Sequence, residues 1–235
     1  MRLDIYLSKN LGIQSRNKAQ ELIKANKVKV NNTIVKKTSY LVEETDSIEL
    51  LEDEFFVSRA AYKLKYFLEE INIDIKNKRA LDIGSSTGGF TQILLGNDVL
   101  NVTCVDVGSN QLHETLRDIE NITFHENCDI RDFKSDEKFD LVTCDVSFIS
   151  IHNILSSINE LSKEIIIILF KPQFEVGINV KRDKKGVVLD TKAISKARSY
   201  FIEESEKLQW KLQYSSQSKL QGKDGNHEEL FYFKK

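Results

Sequence analysis

Proline is almost missing from this chain: Pro172 is the single one among 235 residues. Cysteine is scarce too, and Cys104, Cys128 and Cys144 form no CxxC pair. That excludes a disulfide framework and a zinc ribbon, and an odd count suits reduced thiols in a cytoplasm. The longest apolar run, 165–170, falls far short of the roughly 20 residues that cross a bilayer. Met1-Arg2-Leu3-Asp4 lacks the apolar core of a secretory leader, so export through one is not expected. There is no low-complexity tract, which argues against long disorder. His113, His125, His152 and His227 have no metal-ligand spacing, so no metal is expected. Net charge is lacking as well: the formal value of −2 hints at no nucleic-acid partner.

What is present is an ordinary globular mixture, 40% hydrophobic and 30% charged, long enough for one large domain or an ordinary one with a small one attached. The near-zero charge dissolves when it is divided along the chain. Residues 1–40 hold nine Lys/Arg against Asp4 and Glu21, a net of +7, which leaves −9 on the remainder. A basic head sits on an acidic body. In the head, Leu3, Leu7 and Leu11 share one helix face, and Ala19, Leu22 and Ile23 recur at helical spacing after the N-cap candidate Ser15. The period then becomes two at Val28 and Val30, with a turn at Asn31-Asn32, a return strand from Ile34 and Val35, and a short strand at Ile48 and Leu50. The organisation expected is a small α+β unit over 1–50, a linker over 51–57 centred on Glu52-Asp53-Glu54, and a second domain over 58–235.

From Ser58 onward helical and strand patterns alternate, which predicts an α/β domain with a mostly parallel sheet covered on both faces. A helix carries Ala61, Leu64, Phe67, Leu68 and Ile71; strands are predicted at 79–83, 102–105, 122–125, 139–145 and 164–170, and helices at 89–95, 111–117, 152–161 and 191–208. Two strand-like stretches, 210–216 and 229–234, end the chain around a turn at 222–226.

The segment Leu81-Asp82-Ile83-Gly84-Ser85-Ser86-Thr87-Gly88-Gly89-Phe90 joins a strand to a helix and holds three of the ten glycines. Glycine there allows a tight turn and close backbone approach to a ligand. No Gly-Lys-Ser/Thr follows, so a phosphate-binding P-loop is disfavoured. Asp106, with Val107 behind it, ends the next strand, where an acid accepts hydrogen bonds from ribose hydroxyls. Asp129 and Ile130 follow the third strand, within reach of an adenine. An adenosine-containing cofactor is expected, and spacing does not separate dinucleotide from S-adenosylmethionine sites. Asp145 and Lys171 close two further strands, Lys63 lies on the helix before the first strand, and Glu228 opens the last. Each taken alone reads as a solvated surface charge; as an ordered set they converge on one crevice above the sheet.

Lys63, Asp145, Lys171 and Glu228 resemble, in order and context, the Lys-Asp-Lys-Glu tetrad of the FtsJ-like ribose 2′-O-methyltransferases. The words around them are similar to the TlyA branch, sometimes labelled hemolysins: Val57-Ser58-Arg59-Ala60-Ala61-Tyr62-Lys63-Leu64, Gly84-Ser85-Ser86-Thr87-Gly88-Gly89-Phe90-Thr91, Asp145-Val146-Ser147-Phe148-Ile149-Ser150, Lys171-Pro172-Gln173-Phe174-Glu175-Val176-Gly177 and Gly225-Asn226-His227-Glu228. The head, with Arg2-Leu3-Asp4, Ser15-Arg16 and Val28-Lys29-Val30-Asn31, resembles an S4 RNA-binding domain. The resemblance implies a Rossmann-like, seven-stranded class I methyltransferase sheet with the final strand antiparallel, behind a small N-terminal S4-like domain. It also implies methyl transfer from S-adenosylmethionine to the 2′-hydroxyl of a cytidine in ribosomal RNA. Cofactor contacts are then expected from Asp82, Gly84, Ser85, Ser86, Thr87, Gly88, Gly89, Phe90, Asp106, Val107, Asp129, Ile130 and Asp145.

A ribose hydroxyl is a poor nucleophile while protonated, so a base is needed, and Lys171 is the candidate. Pro172 directly after it is expected to end the strand and hold the following segment extended. RNA phosphates are expected to meet Arg2, Arg16, Lys18, Lys24, Lys29 and Lys36 in the head, and Arg59, Lys181, Arg182, Lys184 and Lys185 in the body. Phe174 is left open between stacking on RNA and packing inside. The family's shorter members act on large-subunit RNA, its longer ones also on small-subunit RNA; a chain starting at the S4-like motif and ending two residues after Phe233 favours the large subunit. Three competing classes fare worse, and one of them, a non-catalytic RNA binder, is disfavoured by the intact tetrad. A membrane-damaging protein has no cationic amphipathic helix behind it, and an NAD-dependent enzyme with an RNA-binding appendage gives the tetrad no task.

Overall fold

A computed structural model describes the chain apart from residues 12, 14, 44 and 52–55, so the acidic linker candidate Glu52-Asp53-Glu54 lies outside the described residues. Contacts divide the molecule into two compact units, Met1–Phe55 and Phe56–Lys235.

The first unit runs α1 (Leu3–Asn10), α2 (Arg16–Lys24), β1 (Val28–Val30), β2 (Thr33–Ile34) and β3 (Ile48–Leu50). Ser15 caps α2 by accepting the Lys18 amide at 3.2 Å. Asn31 and Asn32 take positive φ of 50° and 63°, the backbone that a two-residue hairpin turn demands, and this turn pairs β1 with β2. The sheet has the order β2-β1-β3. Leu3, Leu7, Ala19, Ile23, Val28, Val30 and Val42 form its core. Leu11 departs from expectation: it is the exposed C-cap of α1 rather than a third core residue on that face.

The second unit begins with α3 (Arg59–Ile71), whose apolar positions Ala61, Leu64, Phe67 and Leu68 turn inward and which Asn72 ends in the left-handed conformation. There follow β4 (Arg79–Ile83), α4 (Gly89–Gly96), β5 (Asn101–Val105), α5 (Glu114–Arg117), β6 (Ile122–His125), β7 (Phe139–Cys144), α6 (Leu155–Leu161), β8 (Ser162–Phe170), α7 (Pro172–Glu175), α8 (Thr191–Lys207), β9 (Lys211–Gln217) and β10 (Glu229–Lys234). The seven-stranded sheet has the order β6-β5-β4-β7-β8-β10-β9, and β10 runs antiparallel to both neighbours. Helices cover both faces, so β8 is apolar without alternation. Ile165, Ile166, Ile167 and Ile168 are all buried, each stabilising the fold by roughly 1.5–3 kcal/mol.

This topology brings the carboxyl ends of β4, β5, β7 and β8 to one edge. Because β10 is antiparallel, its amino end arrives at that edge too: Glu229 pairs with Phe170. Pro172 does end β8, but the expected extended segment after it is a helical turn, α7, with Pro172 at its first position. The fixed φ of proline suits that position, where a missing N–H costs nothing.

Candidate active site

The four predicted charges meet at the common edge as two ion pairs. Lys171 Nζ lies 2.5 Å from Asp145 Oδ1 and donates to Ser147 Oγ at 2.8 Å. Lys63 Nζ donates to Glu228 Oε2 at 2.5 Å. The Gln173 amide, two residues beyond Lys171, donates to the other Glu228 oxygen at 3.4 Å. Lys171 is 8% exposed and Glu228 3%. Charges so withdrawn from water are a poor device for stability and a familiar one for chemistry. The Lys171–Asp145 approach is close without hydrogen-bond alignment, so Asp145 Oδ1 has no aligned donor among the described residues, and the ammonium directs one proton at Ser147.

The glycine loop is built for close approach. Gly84 has φ +75°, and a Cβ there would stand 2.8 Å from the Asp145 carbonyl oxygen. Asp106 is pinned by the Ser86 amide at 2.8 Å and the Gly108 amide at 2.7 Å, which aims its remaining lone pairs outward. Beside the loop lies a cavity of about 310 Å³ whose lining includes Gly84, Ser86, Asp106, Val107, Asp129, Ile130, Asp145, Ser147 and Phe148. A second, of about 180 Å³, shares Gly84, Ser86, Asp145 and Ser147 and adds Ser58, Ser85, Thr87, Gly89, Phe90 and Lys171.

Two predicted cofactor contacts sit away from both cavities, and a third lines the larger one with its oxygens already engaged. Asp82 lines neither cavity: it is fully buried, accepting from Thr91 at 2.7 Å and Thr143 at 2.9 Å, and burial pushes its carboxyl up to about 6. Gly88 also lies off both cavities, at the start of α4 with φ +91°. Asp129 lines the larger cavity but gives both oxygens to Arg131, which holds its carboxyl down to about 2.

Several site residues carry no individual role in the sequence, although Ser58, Ser147 and Gln173 stand in the words that carry the resemblance. Ser58 holds the N-cap position of α3 yet makes no cap; its hydroxyl is buried against the smaller cavity with no partner among the described residues. Gly89 leaves room for it, since a Cβ there would overlap that oxygen. Ser147, Gln173 and Gly222 are the others; a Cβ on Gly222 would come 2.5 Å from the Glu228 carboxylate. The glycine-rich turn at 222–226 was the only available signal for the last.

The predicted RNA contacts divide. In the first unit, Arg2 and Arg16 both bind the buried Asp4 at 3.0 Å, keeping them half out of the surface. Lys18 pairs with Glu21 and Lys29 with Glu49, each at 3.3 Å, while Lys24 and Lys36 are exposed. In the second unit, Arg59, Lys181, Lys184 and Lys185 are exposed. Arg182 is a correction: its guanidinium donates to the carbonyls of Gln173, Gly177, Ile178 and Val180, so it folds the loop rather than facing outward. Phe174 is half-buried with its ring 5.3 Å from that of Phe148, which is 92% exposed.

Among the described residues no cluster of His, Cys, Asp or Glu is fit to hold a metal, and no helix is long and apolar enough to cross a membrane. Burial pushes the Cys104 and Cys144 thiols up to about 12, which makes them core residues rather than nucleophiles.

The family model for FtsJ-like methyltransferases matches residues 56–235, and that for the S4 domain residues 1–48. A 23S rRNA (cytidine-2′-O)-methyltransferase TlyA from Campylobacter jejuni is 53% identical, with 99% of each chain covered. A 16S/23S rRNA (cytidine-2′-O)-methyltransferase TlyA from Mycobacterium tuberculosis is 32% identical over 99% of this chain and 89% of its own. A solved structure from Streptococcus thermophilus whose name carries the word hemolysin superposes with a TM-score of 0.73 and 27% identity, covering 100% of this chain and 88% of that one.

Proposed function

The chain belongs to the TlyA family of FtsJ-like methyltransferases, and on that premise we propose that it transfers a methyl group from S-adenosylmethionine to the ribose 2′-hydroxyl of a cytidine in large-subunit ribosomal RNA. The observation that carries this reading is the Lys171–Asp145 pair beside Ser147: Asp145 and Ser147 line both cavities and Lys171 the smaller one.

The cavities fit the cofactor in size and chemistry. Asp106, held by two backbone amides, receives the ribose hydroxyls; Val107, Ile130 and Asp129 border the adenine; Ser58, with its unspent hydroxyl, Ser85, Thr87, Gly89 and Phe90 enclose the amino-acid end. Asp82 and Gly88 act from behind, by shaping the loop. When bound, S-adenosylmethionine supplies a methyl group already activated by its sulfonium charge. The protein therefore has to align the acceptor oxygen and remove its proton. Lys171, in its neutral form, takes that proton at Nζ, and the pair with Asp145 is the arrangement that receives the resulting ammonium. Lys63 and Glu228 neutralise one another alongside and keep the crevice polar without a free charge.

Residues 1–50 serve as the RNA-binding unit, 51–57 as the linker and 58–235 as the transferring unit; Arg2, Arg16, Lys18, Lys24, Lys29 and Lys36, with Arg59, Lys181, Lys184 and Lys185, meet phosphates. Such a substrate places the enzyme in the cytoplasm. Labelled S-adenosylmethionine given to the protein with separated ribosomal subunits tests the reading. Label on a ribose of large-subunit RNA is expected; label confined to the small subunit overturns the preference, and label in neither sinks the assignment.

A further inference from the structure

Two arms leave the carboxyl edge of the sheet and lie against each other. The arm after β7, 145–150, carries Asp145, Ser147 and Phe148; the arm after β8, 171–176, carries Lys171, Gln173 and Glu175. Phe148 has φ +65°, a left-handed backbone uncommon for a bulky side chain. Asp145 and Ser147 meet Lys171 near the start of the contact, and the rings of Phe148 and Phe174 meet in the middle. Glu175 closes the far end. Its Oε2 accepts the Ser150 hydroxyl at 2.7 Å and its Oε1 accepts the Ile151 amide at 3.0 Å. Ile151 opens the 3-10 turn Ile151–Asn153, whose first amides have no partner within the turn, so a carboxylate there satisfies a donor that would otherwise be orphaned.

We propose that Glu175 is a positioning residue for methyl transfer, clamping the arm that bears Asp145 and Ser147 against the arm that bears Lys171. The inference rests on the reading of Lys171 as the base. Glu175 lines neither cavity, so its effect travels through the geometry of Lys171 and Ser147 and not through contact with cofactor. A small displacement of an aligned group lowers turnover without weakening binding.

The test compares Glu175→Ala and Glu175→Gln in the full chain, with large ribosomal subunits and labelled S-adenosylmethionine as substrates. Glutamine preserves the clamp without the charge: its carbonyl accepts from Ile151 and its amide donates to Ser150, whose hydroxyl turns to accept. Glu175→Ala is expected to lower kcat on the order of 10-fold to 100-fold, with KM for subunits and the calorimetric Kd for cofactor within about twofold. Glu175→Gln is expected to restore kcat to within about threefold. Ser150→Ala in the Glu175→Ala background should add little, because both remove the same tie. Wild-type kcat in Glu175→Ala overturns the proposal, as does a loss that follows cofactor affinity or melting temperature and that glutamine does not rescue. Lys171→Ala run alongside separates the two levels: activity there defeats the reading of the base, whereas an inactive Lys171→Ala with an unimpaired Glu175→Ala defeats the clamp alone.

Discussion

Asp82→Asn should make the folded protein more stable at neutral pH. The carboxyl of Asp82 is fully buried beneath the glycine loop, with Thr91 and Thr143 as its hydrogen-bond donors. Burial outweighs those two bonds and moves the group from 3.8 up to about 6, with the neighbouring Asp145 charge adding to the effect. A difference of that size corresponds to about 3 kcal/mol between the two protonation states. The folded protein holds this proton more tightly than the unfolded chain does. Stability from this group is therefore greatest below about pH 4, falls as pH rises from about 4 to about 6, and the full cost stands above that window. An asparagine is neutral throughout and reproduces the low-pH condition. Urea denaturation of both proteins at pH 4 and pH 7.5, followed by a probe in the second unit, gives four stabilities. The advantage of the variant should grow by about 2 kcal/mol between the two pH values, because the unfolded carboxyl is already part-ionised at pH 4, or roughly 4–8 °C in melting temperature for a unit of this size. Taking the difference of differences cancels any constant cost of the substitution. An advantage that does not change with pH would refute the assignment of a buried, ionised carboxylate.

Gly84→Ala should weaken cofactor binding on the order of 10-fold by calorimetry, because the new Cβ meets the Asp145 carbonyl at 2.8 Å and the backbone there has φ +75°; unchanged affinity would show that the loop relaxes freely. Lys24→Ala with Lys36→Ala should weaken RNA binding and flatten its salt dependence by about two in the slope of log K against log salt, since both side chains are exposed; an unchanged slope would remove them from the phosphate contacts.

The sheet was legible because periodicity reports which faces are buried, and the edge was legible because charged residues close runs that are otherwise apolar. Asp145 after 139–144, Lys171 after 165–170 and Asp106 after 101–105 are such interruptions, and the structure brings the first two to one wall. What escaped was the direction of individual side chains. Arg182 looked like part of a basic stretch, but a loop that turns back on itself offers it four carbonyls, and a guanidinium has donors enough to take them. Asp82 looked like part of a ligand loop, although its place in β4 directs it into the core. Ser58 could be placed at a helix start from the sequence; that its hydroxyl forgoes the cap to face a cavity depends on Gly89, thirty-one positions away. Pro172 was correctly a strand terminator and wrongly a spacer, because the same fixed φ serves an extended chain and the first position of a helix equally well.

The central claim is that Lys171, held by Asp145 and Ser147, removes the proton from the acceptor hydroxyl. Single-turnover methyl transfer by Lys171→Ala, with cofactor affinity measured by calorimetry on the same preparation, tests it most directly. The account predicts a rate lower by about 10²–10⁴ with cofactor affinity within about threefold of the wild type. A wild-type rate in that variant would contradict it.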